Sequence, residues 1–267
     1  MSQSESPSVD RNIIDVEWTA AAAPAEDPGR QRQTALTVRL GTGSALARRE
    51  PSVVLEEAEL PSSLDARLVV LSEPSSARAR SYQLLQHRLL ALSDPRVISV
   101  TSAWPGEGKT TCAANLALTL ADEAFARVLL IEANVRRPAL AQAFGFDPED
   151  SFMDRLVRNG DAASPYLVAA IRGSRLHVAA LRLDISKALR VDRLLLGLAI
   201  SQLRCSYDYI VIDSASLFES ADADVAGECA DGVIVTARAA KSRRNGLRRA
   251  VQQLSPANVL GVVLLDA

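Results

Sequence analysis

The sequence predicts an α/β fold in which a doubly wound, mostly parallel sheet carries helices on both faces. From about residue 66 onward, short apolar runs alternate with longer stretches of helical periodicity. The apolar runs are nearly continuous, as expected for strands that are buried on both faces. The chain has 267 residues and is 48% hydrophobic, which is enough for one large core.

The first 65 residues differ in composition from the rest. Five prolines interrupt any regular period: Pro7, Pro24, Pro28, Pro51 and Pro61. Such a segment buries too little apolar surface to offset the entropy lost on ordering it. We therefore predict a disordered N-terminal segment over 1–65 and a folded domain over 66–267. Two apolar islands, NIIDVEW and LTVRL, could act as docking peptides, although chance is the simpler explanation.

Two elements are predicted before the first long strand. The apolar run LVVL at 68–71 predicts a short edge strand. Apolar residues at 82, 85, 89 and 92 are three and four positions apart, which predicts an amphipathic helix over 76–92.

The remaining elements alternate along the chain. Strands are predicted over 96–102, 126–134, 175–181, 207–216, 231–238 and 258–266. Helices are predicted over 110–124, 138–144, 147–160, 187–204, 222–230 and 241–254. Strands that alternate with helices predict parallel neighbours joined by crossovers on both faces of the sheet.

A glycine-rich loop lies between the first long strand and its helix. It supplies Gly106, Glu107, Gly108, Lys109, Thr110 and Thr111. A strand, a glycine-rich turn and a helix opening with Lys-Thr form the P-loop arrangement. Its backbone N–H groups face an anion at the helix N-terminus, where glycine permits close approach. We predict that Lys109 reaches the terminal phosphates and that the Thr110 hydroxyl binds Mg²⁺, although Ala103 stands where the strict pattern has glycine.

Two other predicted strands carry a carboxylate at or near their ends. Glu132 ends one, and Asp213 lies near the end of another. Because parallel strands end at the same edge of a sheet, both carboxylates are expected near the loop. Asp213 can hold the water shell of Mg²⁺, and its alternative is a helix cap or turn residue.

The stretch from about 68 to 267 resembles the cytoplasmic domain of bacterial tyrosine kinases (BY-kinases) of exopolysaccharide and capsule export. The family motif TSAxPGEGKT matches TSAWPGEGKT at 101–110, and NLA follows at 115–117. The family's LLIDxDxRRP, YDYIIIDTPP and DGVxxVxRxxxTRR correspond to LLIEANVRRP, YDYIVIDSAS and DGVIVTARAAKSRR. The wider group of deviant Walker A ATPases includes the ParA/MinD partitioning proteins. Those have a signature lysine where this chain has Trp104, which favours the kinase branch.

The resemblance implies ATP and Mg²⁺ as cofactors and phosphoryl transfer to tyrosine. It implies Lys109, Glu132 and Asp213 as catalytic residues, with Glu132 as base or metal ligand. It implies Thr110, Glu132 and Asp213 as the residues around Mg²⁺. The expected partner is a membrane-spanning polysaccharide co-polymerase or modulator on a separate chain, and a homo-oligomer is possible.

Three departures from the family pattern bear on activity. The two aspartates of the second motif are replaced by Glu132 and Asn134, which moves one carboxylate and removes the charge of the other. The family's C-terminal tyrosine cluster has no counterpart, because the four tyrosines are scattered: Tyr82, Tyr166, Tyr207 and Tyr209. The stretch RSYQLLQ at 80–86 has Arg80, Gln83 and Gln86 where the family's EAYRTLR, through which its rings assemble, has Glu, Arg and Arg.

Three functions therefore stay open. The first is a tyrosine kinase that regulates exopolysaccharide or capsule synthesis or export. The second is a catalytically weakened, nucleotide-binding regulatory subunit of a polysaccharide export complex. The third is a ParA/MinD-like positioning ATPase. The intact GEGKT sequence fits all three.

Charge and hydropathy bound the surroundings of the protein. A net charge of −2 argues against a nucleic-acid partner, and no apolar run approaches the length of a spanning helix. We expect a cytoplasmic protein that is peripheral to the inner membrane through its partner. Asp222 could contact the site or simply favour a helix N-terminus. Four arginines share one helix face that could bind phosphate, although solvation is the simpler explanation: Arg243, Arg244, Arg248 and Arg249.

Overall fold

The computed structural model describes residues 53–92, 95–123, 125–148, 152, 156, 166–182, 190–254 and 259–265. Within these ranges it confirms the predicted α/β class. Eight strands form one sheet in the order β1-β4-β5-β3-β6-β2-β7-β8. The β4–β5 pair is antiparallel, and every other neighbouring pair is parallel.

The strands are β1 Val53–Ala58, β2 Val97–Ser102, β3 Val128–Glu132, β4 Tyr166–Ile171, β5 Leu176–Ala179, β6 Tyr209–Ser216, β7 Gly232–Arg238 and β8 Val259–Leu265. The helices are α1 Val69–Ser72, α2 Ala77–Leu92, α3 Lys109–Glu123, α4 Leu140–Phe144, α5 Arg193–Leu203, α6 Asp222–Glu228 and α7 Arg244–Gln253.

Helices cover both faces of the central strands. Along β3, Leu130 belongs to a core cluster shared with α2 and α3, whereas Leu129 belongs to a second cluster shared with α5. Successive side chains of a strand point to opposite faces, so a strand covered on both faces is mostly apolar. All residues of β2 and β3 are buried, and the apolar run at the start of β3 follows from this; the buried polar residues lie mainly toward the strand ends near the loop.

The predicted domain boundary at 66 needs correction. Val53–Ala58 form the edge strand β1, which pairs in parallel with β4, so the folded domain begins before residue 66. Three of its six residues, Val54, Leu55 and Glu57, are exposed, as expected for a strand at the edge of a sheet. Residues 1–52 lie outside the described ranges, and their disorder stays a prediction.

The predicted edge strand at 68–71 is wrong, because Val69–Ser72 form the short helix α1. A four-residue apolar run fits either a buried strand or one buried helical turn, so periodicity could not separate them. Here Leu68 and Val69 are buried, and the Val70 N–H donates to the Oδ1 of Asn115 at 3.0 Å.

Most other predicted elements are confirmed with shifted ends. Helix α5 begins at Arg193, later than the predicted 187, because the Asp192 carboxylate accepts from the N–H groups of Leu194 and Leu195. Strand β4 was not predicted, although its apolar run and the following Arg-Gly-Ser turn were a hairpin signal. The predicted helix over 147–160 falls largely outside the described residues.

Candidate functional site

The glycine-rich loop joins the end of β2 to the start of α3, as predicted. Gly106 and Gly108 have φ values of 79° and 84°, in the left-handed region that side chains disfavour. A Cβ placed on Gly108 would also lie 2.2 Å from the Leu265 side chain. Glycine is therefore favoured at 108 by the backbone conformation, and any larger residue would also displace the tip of the Leu265 side chain.

Glu107 faces inward and holds the loop in shape. Its carboxylate accepts from the Trp104 N–H at 2.8 Å and from the Ser242 hydroxyl. The side chain is buried, at 7% exposure. These contacts connect the loop to the segment that precedes α7, so Glu107 stabilises the conformation of the predicted phosphate-binding loop.

Lys109, Thr110 and Asp213 come together at the base of the loop, as predicted. The Lys109 Nζ donates to the Ser216 hydroxyl at 3.0 Å, and the Thr110 hydroxyl donates to Asp213 Oδ2 at 2.6 Å. Burial lowers the pKa of Lys109. Burial also raises the pKa of Asp213 to about 6, against the opposing effects of Thr110 and Lys109. Asp213 Oδ1 has no hydrogen-bond partner among the described residues.

Glu132 lies opposite Asp213 on the neighbouring strand, but both of its carboxylate oxygens accept hydrogen bonds from backbone N–H groups. Oε1 accepts from the N–H groups of Ala139 and Leu140, and Oε2 accepts from that of Leu181 at 2.9 Å. Burial raises the pKa of Glu132 to about 7, although these amides oppose the shift. The contacts describe a carboxylate that caps α4 and fixes the chain after β5. They do not support Glu132 as a base or Mg²⁺ ligand.

Asn134 is the second-motif residue that faces the loop. It is buried at 6% exposure and lines the same cavity as Lys109 and Thr110. Its Oδ1 has no hydrogen-bond partner within the described residues. Asn134 thus offers an oxygen, but no charge, to whatever occupies the cavity.

The cavity in front of the loop has a volume of about 620 Å³. Its lining includes five basic residues and one acidic residue: Arg67, Arg78, Lys109, Arg137, Arg238 and Glu219. The balance of these side chains is positive, which suits a polyphosphate. Arg67, Arg78 and Tyr82 come from residues before β2, and no spacing in the sequence marked them as site residues.

Several other sequence candidates lie apart from this chemistry. The Asp222 carboxylate accepts from the Ser220 hydroxyl at 2.7 Å and from the Val191 N–H at 3.3 Å, so it organises local loops. Trp104 is half exposed and packs edge-on against Phe218, over which Arg249 lies. The described residues hold no cluster of three or more metal-ligating side chains of the His, Cys, Asp and Glu types. None of their helices combines the length and apolar character needed to cross a bilayer.

A strand, a glycine loop, a buried lysine and a Thr–Asp pair on a parallel sheet define a P-loop nucleotide-binding protein. A family model described as an AAA domain matches residues 95–258, and the chain belongs to that family.

Relatives named as tyrosine kinases connect the chain with the BY-kinases. It is 30% identical over 205 residues to the succinoglycan biosynthesis transport protein ExoP of Rhizobium meliloti, covering 73% of this chain and 26% of the relative. It is 25% identical over 216 residues to the tyrosine-protein kinase YwqD of Bacillus subtilis, covering 76% and 87%. The solved VpsO kinase domain is 28% identical with a TM-score of 0.60, covering 71% and 95%. The resemblance to the BY-kinase P-loop domain is confirmed, and the chain spans about a quarter of the ExoP length.

Proposed function

We propose that this protein binds MgATP and transfers its terminal phosphoryl group to tyrosine, as a BY-kinase-like regulator of exopolysaccharide or capsule synthesis or export. The observation that carries the proposal is the buried Lys109 beside the Thr110–Asp213 pair, at the base of a cavity rich in arginine. The names of the relatives supply the reaction and the biological setting.

The residues around the cavity fit Mg²⁺. Asp213 Oδ1 and Asn134 Oδ1 are buried oxygens without partners in the described chain, and Mg²⁺ prefers oxygen ligands. We assign Thr110 and Asp213 to the metal and its water shell, with Asn134 offering a neutral oxygen. When bound, Mg²⁺ would neutralise charge on the phosphates. Lys109 would stabilise the same phosphates as a point charge, and the loop amides would orient them.

Asp213 is the carboxylate that remains available to act on the ligand. A carboxylate can act on a ligand only through a free lone pair. Asp213 has an oxygen without a partner in the described chain, and its pKa of about 6 leaves it ionised at neutral pH. Glu132 would first have to release backbone amides. We therefore keep Lys109 and Asp213 as the proposed catalytic residues, with Asp213 holding the Mg²⁺ water shell, and we no longer propose Glu132.

The acceptor tyrosine is proposed to belong to another chain. Tyr82 lines the cavity but is buried at 2% exposure, and the hydroxyls of Tyr166 and Tyr207 pair with Gln202 and His177 at 2.8 Å each. The fourth tyrosine, Tyr209, is partly buried against the core. Each of the four would have to give up this packing or pairing to accept a phosphoryl group. A membrane-spanning polysaccharide co-polymerase on a separate chain is the proposed partner, which would place this chain at the inner membrane.

The second candidate is a nucleotide-binding regulatory subunit without kinase activity. Two observations favour it: the engagement of Glu132 by the backbone, and the loss of charge at Asn134. A ParA/MinD-like positioning function is less well supported, because Trp104 occupies the position of the signature lysine.

The test is nucleotide handling by the purified chain. MgATP affinity is measured first, followed by phosphate release and phosphotyrosine formation, with Lys109→Ala as control. Binding with Lys109-dependent labelling of tyrosine would establish the kinase. Tight binding without any phosphoryl transfer would favour the regulatory subunit. No binding at all would contradict both.

A further inference from the structure

We propose that Arg67 is a nucleotide-contacting residue, which binds the phosphate chain from a part of the cavity lining outside the glycine loop. The inference rests on the proposed nucleotide-binding function and adds a residue to it. Arg67 lies outside the sequence motifs, in the segment between β1 and α1.

Part of the cavity lining comes from residues 66–69. Ala66, Arg67 and Val69 line the same space as Gly106, Gly108 and Lys109, and we call these first three residues the wall. A P-loop supplies its amides and its lysine from one side of a bound phosphate chain. Positive charge on the wall would therefore contact phosphate oxygens that the loop leaves to solvent.

Asn115 fixes this wall to the P-loop helix. Its Nδ2 donates to the carbonyl oxygens of both Arg67 and Thr111, at 2.7 Å each, and its Oδ1 accepts from the Val70 N–H at 3.0 Å. Asn115 is fully buried on α3, the helix that begins with Lys109. One side chain thus holds the backbone of the wall at a set distance from the phosphate loop.

The Arg67 guanidinium is itself held in one orientation. Asp65 accepts from Nε at 3.0 Å and from Nη2 at 2.6 Å, and it also accepts from the Arg67 backbone N–H at 2.8 Å. These bonds use one edge of the planar group, and no bond of Nη1 is seen within the described part of the chain, so its donors can serve a ligand. A preorganised guanidinium loses little entropy when it binds phosphate. The side chain keeps 40% of its surface exposed, so a ligand can reach it.

Charge in the site supports the same assignment. Asp65 raises the pKa of Arg67, which stays positive at any physiological pH. Arg67 in turn helps to lower the pKa of Asp213, so its field extends to the base of the P-loop. Two other arginines of the cavity, Arg78 and Arg137, have more exposed side chains and pair with Glu73 and Glu219.

The test measures MgATP and MgADP binding to the full chain by calorimetry at several salt concentrations. For Arg67→Ala we expect about a tenfold loss of affinity for both nucleotides and a shallower dependence on salt, because one phosphate contact is removed. Arg67→Lys should recover part of the loss. The matched control is Arg80→Ala, since Arg80 is exposed on α2, bonds the Ser75 carbonyl and lies outside the cavity lining.

Each outcome decides the inference. Affinity within twofold of wild type would overturn it. A loss with an unchanged salt dependence would also overturn it, since it would indicate a displaced wall and not a lost phosphate contact. A melting temperature for Arg67→Ala within about 2 °C of wild type is required for the expected result to count. If the wild-type chain binds neither nucleotide, the proposed function fails first, and that failure is distinguishable from the loss of Arg67.

Discussion

Glu132 and Asp213 are direct neighbours on adjacent parallel strands, yet their surroundings differ completely. Both are fully buried, and burial raises the pKa of each. Both Glu132 oxygens accept from backbone amides. One Asp213 oxygen accepts from the Thr110 hydroxyl, and the other has no partner in the described chain. A carboxylate at the end of a strand can therefore serve the fold or the ligand, and its hydrogen bonds show which.

The chain that follows each strand explains the difference. After β3 it turns into α4, whose first N–H groups need acceptors, and the Glu132 carboxylate accepts from Ala139 and Leu140. After Asp213, β6 continues to Ser216, which accepts from Lys109. The first site is closed by backbone, and the second opens on the P-loop.

Asp213→Asn should have the largest effect. We expect phosphoryl transfer to fall by about 100-fold or more, because the phosphates lose the carboxylate that would hold the water shell of their Mg²⁺. The folded state should lose no stability, since the mutation removes a buried charge. Phosphate release and phosphotyrosine formation measure the first effect, and thermal unfolding measures the second. Activity above a tenth of wild type would show that Asp213 is not essential.

Asn134→Asp tests whether a second negative charge in the cavity, in addition to Asp213, increases activity. A carboxylate at 134 would give Mg²⁺ a second anionic oxygen in the cavity, so we expect turnover to rise about tenfold. The rise should require Mg²⁺ and should disappear in the Lys109→Ala background. If turnover stays level while MgATP binding is intact, charge at 134 is not what limits the reaction, and the regulatory-subunit function gains support.

Glu132→Ala should act on stability and leave binding alone. It strips the acceptor from three backbone amides, and each unsatisfied amide costs about 1 kcal/mol or more, so we expect a loss of about 3 kcal/mol. Denaturant unfolding gives this value, and MgATP affinity should stay within twofold at a temperature where the variant is folded. Glu132→Gln is the matched control, because its remaining oxygen can still accept two of the three amides. Lost affinity at unchanged stability would instead return Glu132 to the metal site.

The sequence was sufficient for features that depend on neighbouring residues. The apolar strands, the glycine loop and the Lys109–Thr110 opening of α3 are local patterns, and the Thr110–Asp213 contact follows from parallel strand order. Features that depend on distant backbone were missed. The Leu181 amide that binds Glu132 lies 49 residues away, and the Asn115 amide that positions Arg67 lies 48 residues away. No periodicity or motif encodes such tertiary contacts.

The smallest expected effect is a difference between the two carboxylates in how they make stability depend on pH. The pKa of Asp213 is raised from 3.8 to about 6, and that of Glu132 from 4.5 to about 7. For a raised acid pKa, the unfolded chain loses its proton first, so the stability contribution falls as pH rises between the unfolded and folded pKa values. Between pH 5 and pH 6, the free energy of unfolding of the wild type should fall by about 1 kcal/mol relative to that of each amide variant, since one pKa unit corresponds to about 1.4 kcal/mol.

The pH range over which stability changes ends at a lower pH for Asp213 than for Glu132, so the two carboxylates can be distinguished. The gap between wild type and Asp213→Asn should level off above about pH 6, whereas the gap to Glu132→Gln should continue to change until about pH 7. Chemical unfolding of the three proteins at pH 5, 6, 7 and 8 measures both gaps, and titrating groups distant from the two carboxylates cancel in each difference. Because Asp213 also helps to raise the pKa of Glu132, the Asp213→Asn gap includes that coupling. A flat Glu132 gap would mean that its three amides hold the carboxylate ionised throughout. A flat Asp213 gap would mean that Lys109 and Thr110 together compensate for its burial.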